Sequence, residues 1–121
     1  MITKQRIKQF KELGFEHVDV LDFEFKQIDG NPPKPVCIVI KDLITGITTK
    51  EWLVNKKFKY PHPIPKTLFV CQWAVAEVSC LIELGIEKPR AVFDTFIEEK
   101  KMFNGISKGF GLLDVCRRHG I

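Results

Sequence analysis

Long apolar runs, paired cysteines and histidines are all scarce in this sequence, and each scarcity excludes something. No stretch approaches the roughly 18 uncharged residues that a membrane-spanning helix needs. The richest run, Thr67 to Ile82, is broken by Glu77. The amino-terminal MITKQRIKQFKEL is charged and amphipathic and has no apolar signal-peptide core. A soluble, cytoplasmic protein with no membrane partner is expected. The four cysteines, Cys37, Cys71, Cys80 and Cys116, form no CxxC pair, and each sits in an apolar run. Buried free thiols are expected rather than a disulfide framework. The three histidines, His17, His62 and His119, show no ligand spacing, so no zinc site is expected. No internal repeat or low-complexity segment is visible.

What is present is the composition of one domain. The 121 residues are 45% hydrophobic and 28% charged, which excludes wholesale disorder. A net charge of +4, from 19 basic and 15 acidic residues, is compatible with a polyanionic partner without requiring one.

Along the chain, Thr3 can cap a helix in which Ile7, Phe10 and Leu13 recur at helical spacing, with Gly14 as its stop. His17 to Lys26 alternates with period two: Val18, Val20, Asp22 and Glu24 point one way, and Asp19, Leu21, Phe23 and Phe25 the other. Asp29 to Pro33 is turn-rich. The continuous apolar run in Val36 to Lys41 predicts a strand covered on both faces, and Thr45-Gly46 turns into a third strand, Ile47 to Val54. Residues 55–66 are basic, with three prolines at alternate positions, and read as an extended surface loop. Strand and helix then alternate: Leu68 to Cys71, a helix from Trp73 to Leu84 ended by Gly85, Ala91 to Phe93, and a helix capped by Asp94 or Thr95. Glu98 is placed to complete a capping box there, and Asn104-Gly105 ends the helix. Ser107 to His119 reads as a last helix with Leu112, Leu113, Val115 and Cys116 on its apolar side. A three-strand antiparallel meander followed by strand–helix units predicts an α/β fold with one mixed sheet.

Three acids stand out. Asp22 and Glu24, one residue apart on a strand, project from one face roughly 7 Å apart. Two such carboxylates can hold a hard divalent cation. Flanking apolar residues on both faces of this strand suggest a central strand entering a cleft. Glu77 lies in a helix that is apolar nearly all round, sharing a stripe with Trp73, Cys80, Leu81 and Leu84. A carboxylate there must be paired, protonated or metal-bound. In the loop, Lys56, Lys57, Phe58, Lys59 and Tyr60 interleave cations with rings, a pattern suited to phosphates and unpaired bases and also to a plain solvated loop. Arg117 and Arg118 in the last turn of a helix complement its dipole.

Taken together, Asp22-Phe23-Glu24, Phe69-Val70-Cys71-Gln72-Trp73-Ala74-Val75-Ala76-Glu77 and Phe93-Asp94-Thr95 resemble the DnaQ-like (DEDD) 3′–5′ exonuclease superfamily. The resemblance is to the proofreading domain of family A DNA polymerases in particular, and it covers residues 16 to 121. It implies an RNase H-like fold. It further implies that Asp22, Glu24 and Glu77 are catalytic ligands of two Mg²⁺ or Mn²⁺ ions flanking the terminal phosphodiester. Asp94 corresponds to an aspartate that starts a helix, read here as mainly a cap. The implied substrate is a frayed or single-stranded DNA 3′ end; the basic-aromatic pattern of the loop offers Lys56, Lys57, Lys59 and Tyr60 as its contacts. Two departures stand against the pattern. Trp73 occupies the position of an asparagine, and the second motif's aspartate is lengthened to Glu77. The third motif, a His or Tyr shortly before a final Asp, has no counterpart. The expectation is therefore a single partial domain over residues 1–121, incomplete at its carboxy end. It would be weakly active or inactive alone, and a polymerase domain would follow it. The alternative is a non-catalytic RNase H-like module binding DNA or a polymerase partner.

Overall fold

The computed structural model describes residues 2–106 and 109–121. Helix α1, Lys4–Glu12, is capped by Thr3, whose hydroxyl accepts the Arg6 amide at 3.3 Å. Strands β1 (His17–Lys26), β2 (Lys34–Asp42) and β3 (Thr48–Trp52) form the antiparallel meander. A short 3₁₀ turn, Ile64–Lys66, leads into β4, Thr67–Cys71. Then follow α2 (Ala74–Glu83), β5 (Ala91–Asp94), α3 (Thr95–Phe103) and α4 (Leu112–Arg118). The sheet order is β3-β2-β1-β4-β5, with β4 parallel to both β1 and β5. This is the expected mixed α/β sheet of RNase H-like form. The position of Ser107 lies outside the described residues; the last helix begins at Leu112, with Gly111 before it.

The sheet has a covered face and an open one. Leu21, Phe23, Ile38, Ile40 and Phe69 pack with Cys80 and Leu81 of α2 to form the core. The alternate residues Val20, Val39 and Trp52 are 37%, 38% and 69% exposed. That corrects the reading of β2 as covered on both faces: its apolar run alternates, with Ile38 and Ile40 buried and Val39 in the open. The segment 55–66 is the expected extended, mostly exposed loop, but two of its side chains are not at the surface. Tyr60 and Ile64 are buried in the core cluster, so its prolines carry a strap across the covered face. Helix α2 is less enclosed than its composition suggests: Val75 and Ile82 are 67% and 54% exposed, while Glu77, Cys80 and Leu81 are buried. In α4, Leu112 and Leu113 are exposed, and Arg118 bonds Glu99 of α3 at 3.0 Å and the Gly109 carbonyl at 2.9 Å. Its guanidinium thus ties α4 to α3 beyond any dipole effect.

All four cysteines are free thiols; Cys71 and Cys80 are buried as expected, whereas Cys37 and Cys116 are only half-buried. Burial, with the charge of Glu77 added, pushes the Cys71 and Cys80 thiols up to about 12, so neither is a thiolate at neutral pH. Among the described residues, no helix is long and apolar enough to cross a membrane.

Candidate active site

Strand β1 outruns its parallel neighbour. Pairing with β4 ends at Val20↔Val70, whereas pairing with β2 continues to Lys26. Asp22 and Glu24 fall in this overhang, exposed on the open face, opposite Val39 and Cys37 of β2. Buried Phe23 lies between them, pointing into the core. The edge that β4 would otherwise occupy leaves a backbone N–H free, and the Phe23 amide donates to Glu77 Oε2 at 3.0 Å. Such strand ends, where a neighbouring connection departs, are where open α/β sheets hold ligands.

Glu77 reaches this spot because α2 starts just past the end of β4. It lies in the first turn of α2, where the helix dipole favours a negative charge. It is 6% exposed. Burial, then the charge of Asp22, push its carboxyl up; the Phe23 amide pulls it down, and Glu24 adds to the rise. The result is about 7. Glu77 thus lies within the field of both Asp22 and Glu24, and negative charge concentrates around one strand overhang. Their donor set is carboxylate oxygen throughout, which fits a hard divalent cation such as Mg²⁺ or Mn²⁺.

The start of α2 is held by an unusual turn. Trp73 has a left-handed backbone, φ 64° and ψ 72°, and precedes the helix without a side-chain cap. Its place is taken by Asp94 from the end of β5, whose Oδ1 accepts the Trp73 amide at 3.0 Å and whose Oδ2 accepts the Ala74 amide at 2.8 Å. Asp94 Oδ1 also accepts the Phe96 and Ile97 amides at 2.9 and 3.4 Å, capping α3. The expected cap is present and serves two helices. The capping box is not formed by Glu98, which pairs instead with Lys101 at 3.0 Å. Thr95 Oγ1 donates to the Cys71 carbonyl at 3.2 Å, fastening β4 to the same junction.

Of the four residues expected to touch nucleic acid, Lys56, Lys57 and Lys59 are exposed. Tyr60 is not available. It is 7% exposed and donates its hydroxyl to Asp19 Oδ2 at 2.8 Å. Its ring packs on Phe69, a core contact that the basic-aromatic pattern of the loop concealed. The bond from Leu53 N to Val36 O at 2.8 Å sets the start of this loop beside the end of the sheet where Glu24 stands.

A second polar cluster escaped sequence reasoning. His17 and His62 stack with ring centroids 3.8 Å apart, and among the described residues His17, Asp42 and His62 are the donor group lying mutually within 4.8 Å. The two histidines are far apart in sequence, and no local spacing signals their meeting.

No family model matches the chain, and no curated protein sequence does. Solved structures do. A protein described as "apo form of the nuclease" superposes with a TM-score of 0.67 at 13% identity over 97% of this chain. Brucella melitensis NrnC with bound Mg²⁺ superposes at 0.65, with 13% identity over 87%. Escherichia coli RNase D, an exoribonuclease involved in structured RNA processing, superposes at 0.54, with 20% identity over 98%. The fold is that of these nucleases. The chain spans 56%, 54% and 32% of their respective lengths, about half or less of each. The likeness shows the fold alone, and it does not single out a polymerase proofreading branch.

Proposed function

We propose that this chain is the metal-binding part of a 3′–5′ exonuclease, with Asp22, Glu24 and Glu77 as the acids that hold Mg²⁺ or Mn²⁺. The observation that carries the reading is the position of Glu77. A buried carboxylate delivered from a different element bonds the amide between the two other acids, and burial together with their negative charge raises it to about 7. When bound, the cations supply Lewis-acid activation of water and charge neutralisation at the phosphodiester. The chain's own part is to hold three carboxylates on a rigid strand end and helix start. The open face presents Lys41 and Lys50 on neighbouring strands, with Lys56, Lys57 and Lys59 beyond, which supports contact with a phosphate backbone.

The substrate in this reading is the 3′ end of a single strand. The finer assignment, a DNA end presented by a polymerase, rests on the resemblance of the motifs. RNA competes with it, since Escherichia coli RNase D is an exoribonuclease. A partner polymerase domain belongs to the same finer reading. The non-catalytic alternative draws support from Trp73 and from the three acids failing to gather within 4.8 Å as His17, Asp42 and His62 do.

The test is Mn²⁺ titration followed by amide NMR, together with digestion of 5′-labelled DNA and RNA oligonucleotides. Paramagnetic broadening centred on the Phe23 and Glu77 amides and lost in Asp22→Asn is expected. A 3′-shortening ladder on either substrate, absent in that variant, would establish catalysis. Broadening that leaves Phe23 untouched would sink the proposal; broadening at Phe23 with no ladder from any length of the protein would favour the non-catalytic module.

A further inference from the structure

At the other end of β1, on the covered face, two carboxylates stand directly opposite one another. Asp19 pairs with Asp42 in the β1–β2 register. They are 0% and 1% exposed. Like charges at facing positions of an antiparallel pair repel, and burial sharpens the repulsion. Within ion-pair distance the described residues supply no lysine or arginine, only imidazoles: His17 Nδ1 lies 2.9 Å from Asp42 Oδ2, and His62 Nδ1 lies 2.8 Å from Asp19 Oδ2. Asp42 is otherwise well supplied, accepting from Val18 N, Ile44 N and Thr45 Oγ1. Asp19 is not. Its Oδ2 takes the Tyr60 hydroxyl as well, but its Oδ1 is buried without a hydrogen-bond partner among the described residues.

Balancing two buried carboxylates here without protonating one of them takes two positive charges. Two imidazolium rings would have to lie parallel, 6° apart in plane and 3.8 Å between centroids, with like charges face to face. One divalent cation held by His17, Asp42 and His62 achieves the same neutralisation with neutral imidazoles, with Asp19 hydrogen-bonded behind His62. We infer that His17, Asp42 and His62, supported by Asp19, form a transition-metal site of the zinc class at the start of β1. Two imidazole nitrogens with carboxylate oxygens suit Zn²⁺ rather than Mg²⁺ or Ca²⁺, which favour all-oxygen shells. Zinc bonds of about 2.0–2.1 Å set tetrahedral donors roughly 3.3 Å apart. The donors already lie within 4.8 Å, and closing on an ion turns the two stacked rings out of parallel so that their in-plane lone pairs converge. The histidine side chains keep 21% and 18% exposure, which leaves a way in.

The site would be a staple. It gathers the start of β1, the end of β2 and the proline-rich strap bearing His62, which no disulfide holds down. It is separate from Asp22 and Glu24, which lie on the opposite face, with Glu24 about 16 Å further along the strand from Asp19.

The experiment adds ZnCl₂ to the EDTA-stripped chain and follows binding by calorimetry, unfolding by heat, and the ring nitrogens by ¹⁵N NMR. With excess Mg²⁺ present to occupy the Asp22, Glu24 and Glu77 site, one equivalent of zinc should bind, raise Tm by about 5 °C or more, and shift the ring signals of His17 and His62 but not His119. Asp22→Asn should bind zinc as well as the wild type, and His62→Ala should lose it. Excess Mg²⁺ should not compete. Because His62→Ala removes part of a packed strap, the wild-type ring signals decide the matter if that variant fails to fold. Unmoved His17 and His62 rings, no saturable uptake, or loss of uptake in Asp22→Asn would each overturn the inference. So would two fully protonated rings at neutral pH that zinc leaves unchanged.

Discussion

Glu77 Oε2 accepts the backbone N–H of Phe23 at 3.0 Å, joining the first turn of α2 to the stretch of β1 between Asp22 and Glu24. One bond thereby does two things. It satisfies a strand amide left unpaired where β4 stops, and it brings a third carboxylate to two others.

A pH dependence follows. The Glu77 carboxyl, at about 7, lies above its ordinary value of 4.5, so the folded chain holds a proton that the unfolded chain releases in between. Stability is therefore fully supported below about 4.5 and is lost as pH rises through about 7. The loss due to this group is of order 3 kcal/mol. Urea unfolding of the metal-free chain across that range should show it. In Glu77→Gln this part of the slope should vanish, and an unchanged slope would show that the charge there is not what titrates.

Removing Asp22 should have opposite effects on the proton and on the metal. Asp22→Asn deletes the largest charge acting on Glu77, so the Glu77 carboxyl should titrate lower, seen by ¹³C NMR of the side chain. The same variant should bind Mn²⁺ at least about tenfold more weakly. A structural disturbance alone would not pair a lowered pKa with weakened metal binding.

Asp94 should be among the costliest surface-proximal residues to remove. Its carboxylate serves four amides, those of Trp73, Ala74, Phe96 and Ile97. Asp94→Ala should cost about 2–3 kcal/mol in urea unfolding, with Asp94→Asn recovering part of it. Trp73, left-handed and 58% exposed, is strained for a bulky side chain. Trp73→Asn should stabilise the chain by about 0.5–1 kcal/mol, because asparagine tolerates that conformation better.

If Lys56, Lys57 and Lys59 bind phosphates, replacing all three with alanine should weaken single-strand binding more at low salt than at high salt. The slope of log affinity against log salt should fall by roughly 0.7 for each phosphate that is no longer neutralised. Fluorescence anisotropy at several salt concentrations measures this. Tyr60→Phe should leave that slope alone and lower stability instead, since its hydroxyl is bonded to buried Asp19.

Elements governed by local chemistry were legible in the sequence. The alternation of His17 to Lys26 is β1 to the residue, Gly85 with φ 72° ends α2 as its permissive backbone allows, and Asp94 caps α3. The placing of Asp22 and Glu24 on one face follows from the strand's period of two. What spacing could not reveal was decided by packing. Tyr60 reads as an exposed ring in a basic loop, yet the strap's path puts it in the core. Val39 and Val75 read as buried because they are apolar, yet the open sheet face and the outer side of α2 leave them in solvent. His17 and His62 show no ligand spacing because their meeting depends on where the long intervening segment returns the chain. Period and capping are properties of neighbours along the sequence, and these the sequence alone determined. Which carboxylate meets which amide, and which imidazole meets which buried acid, depends on contacts between distant segments that only the assembled sheet creates.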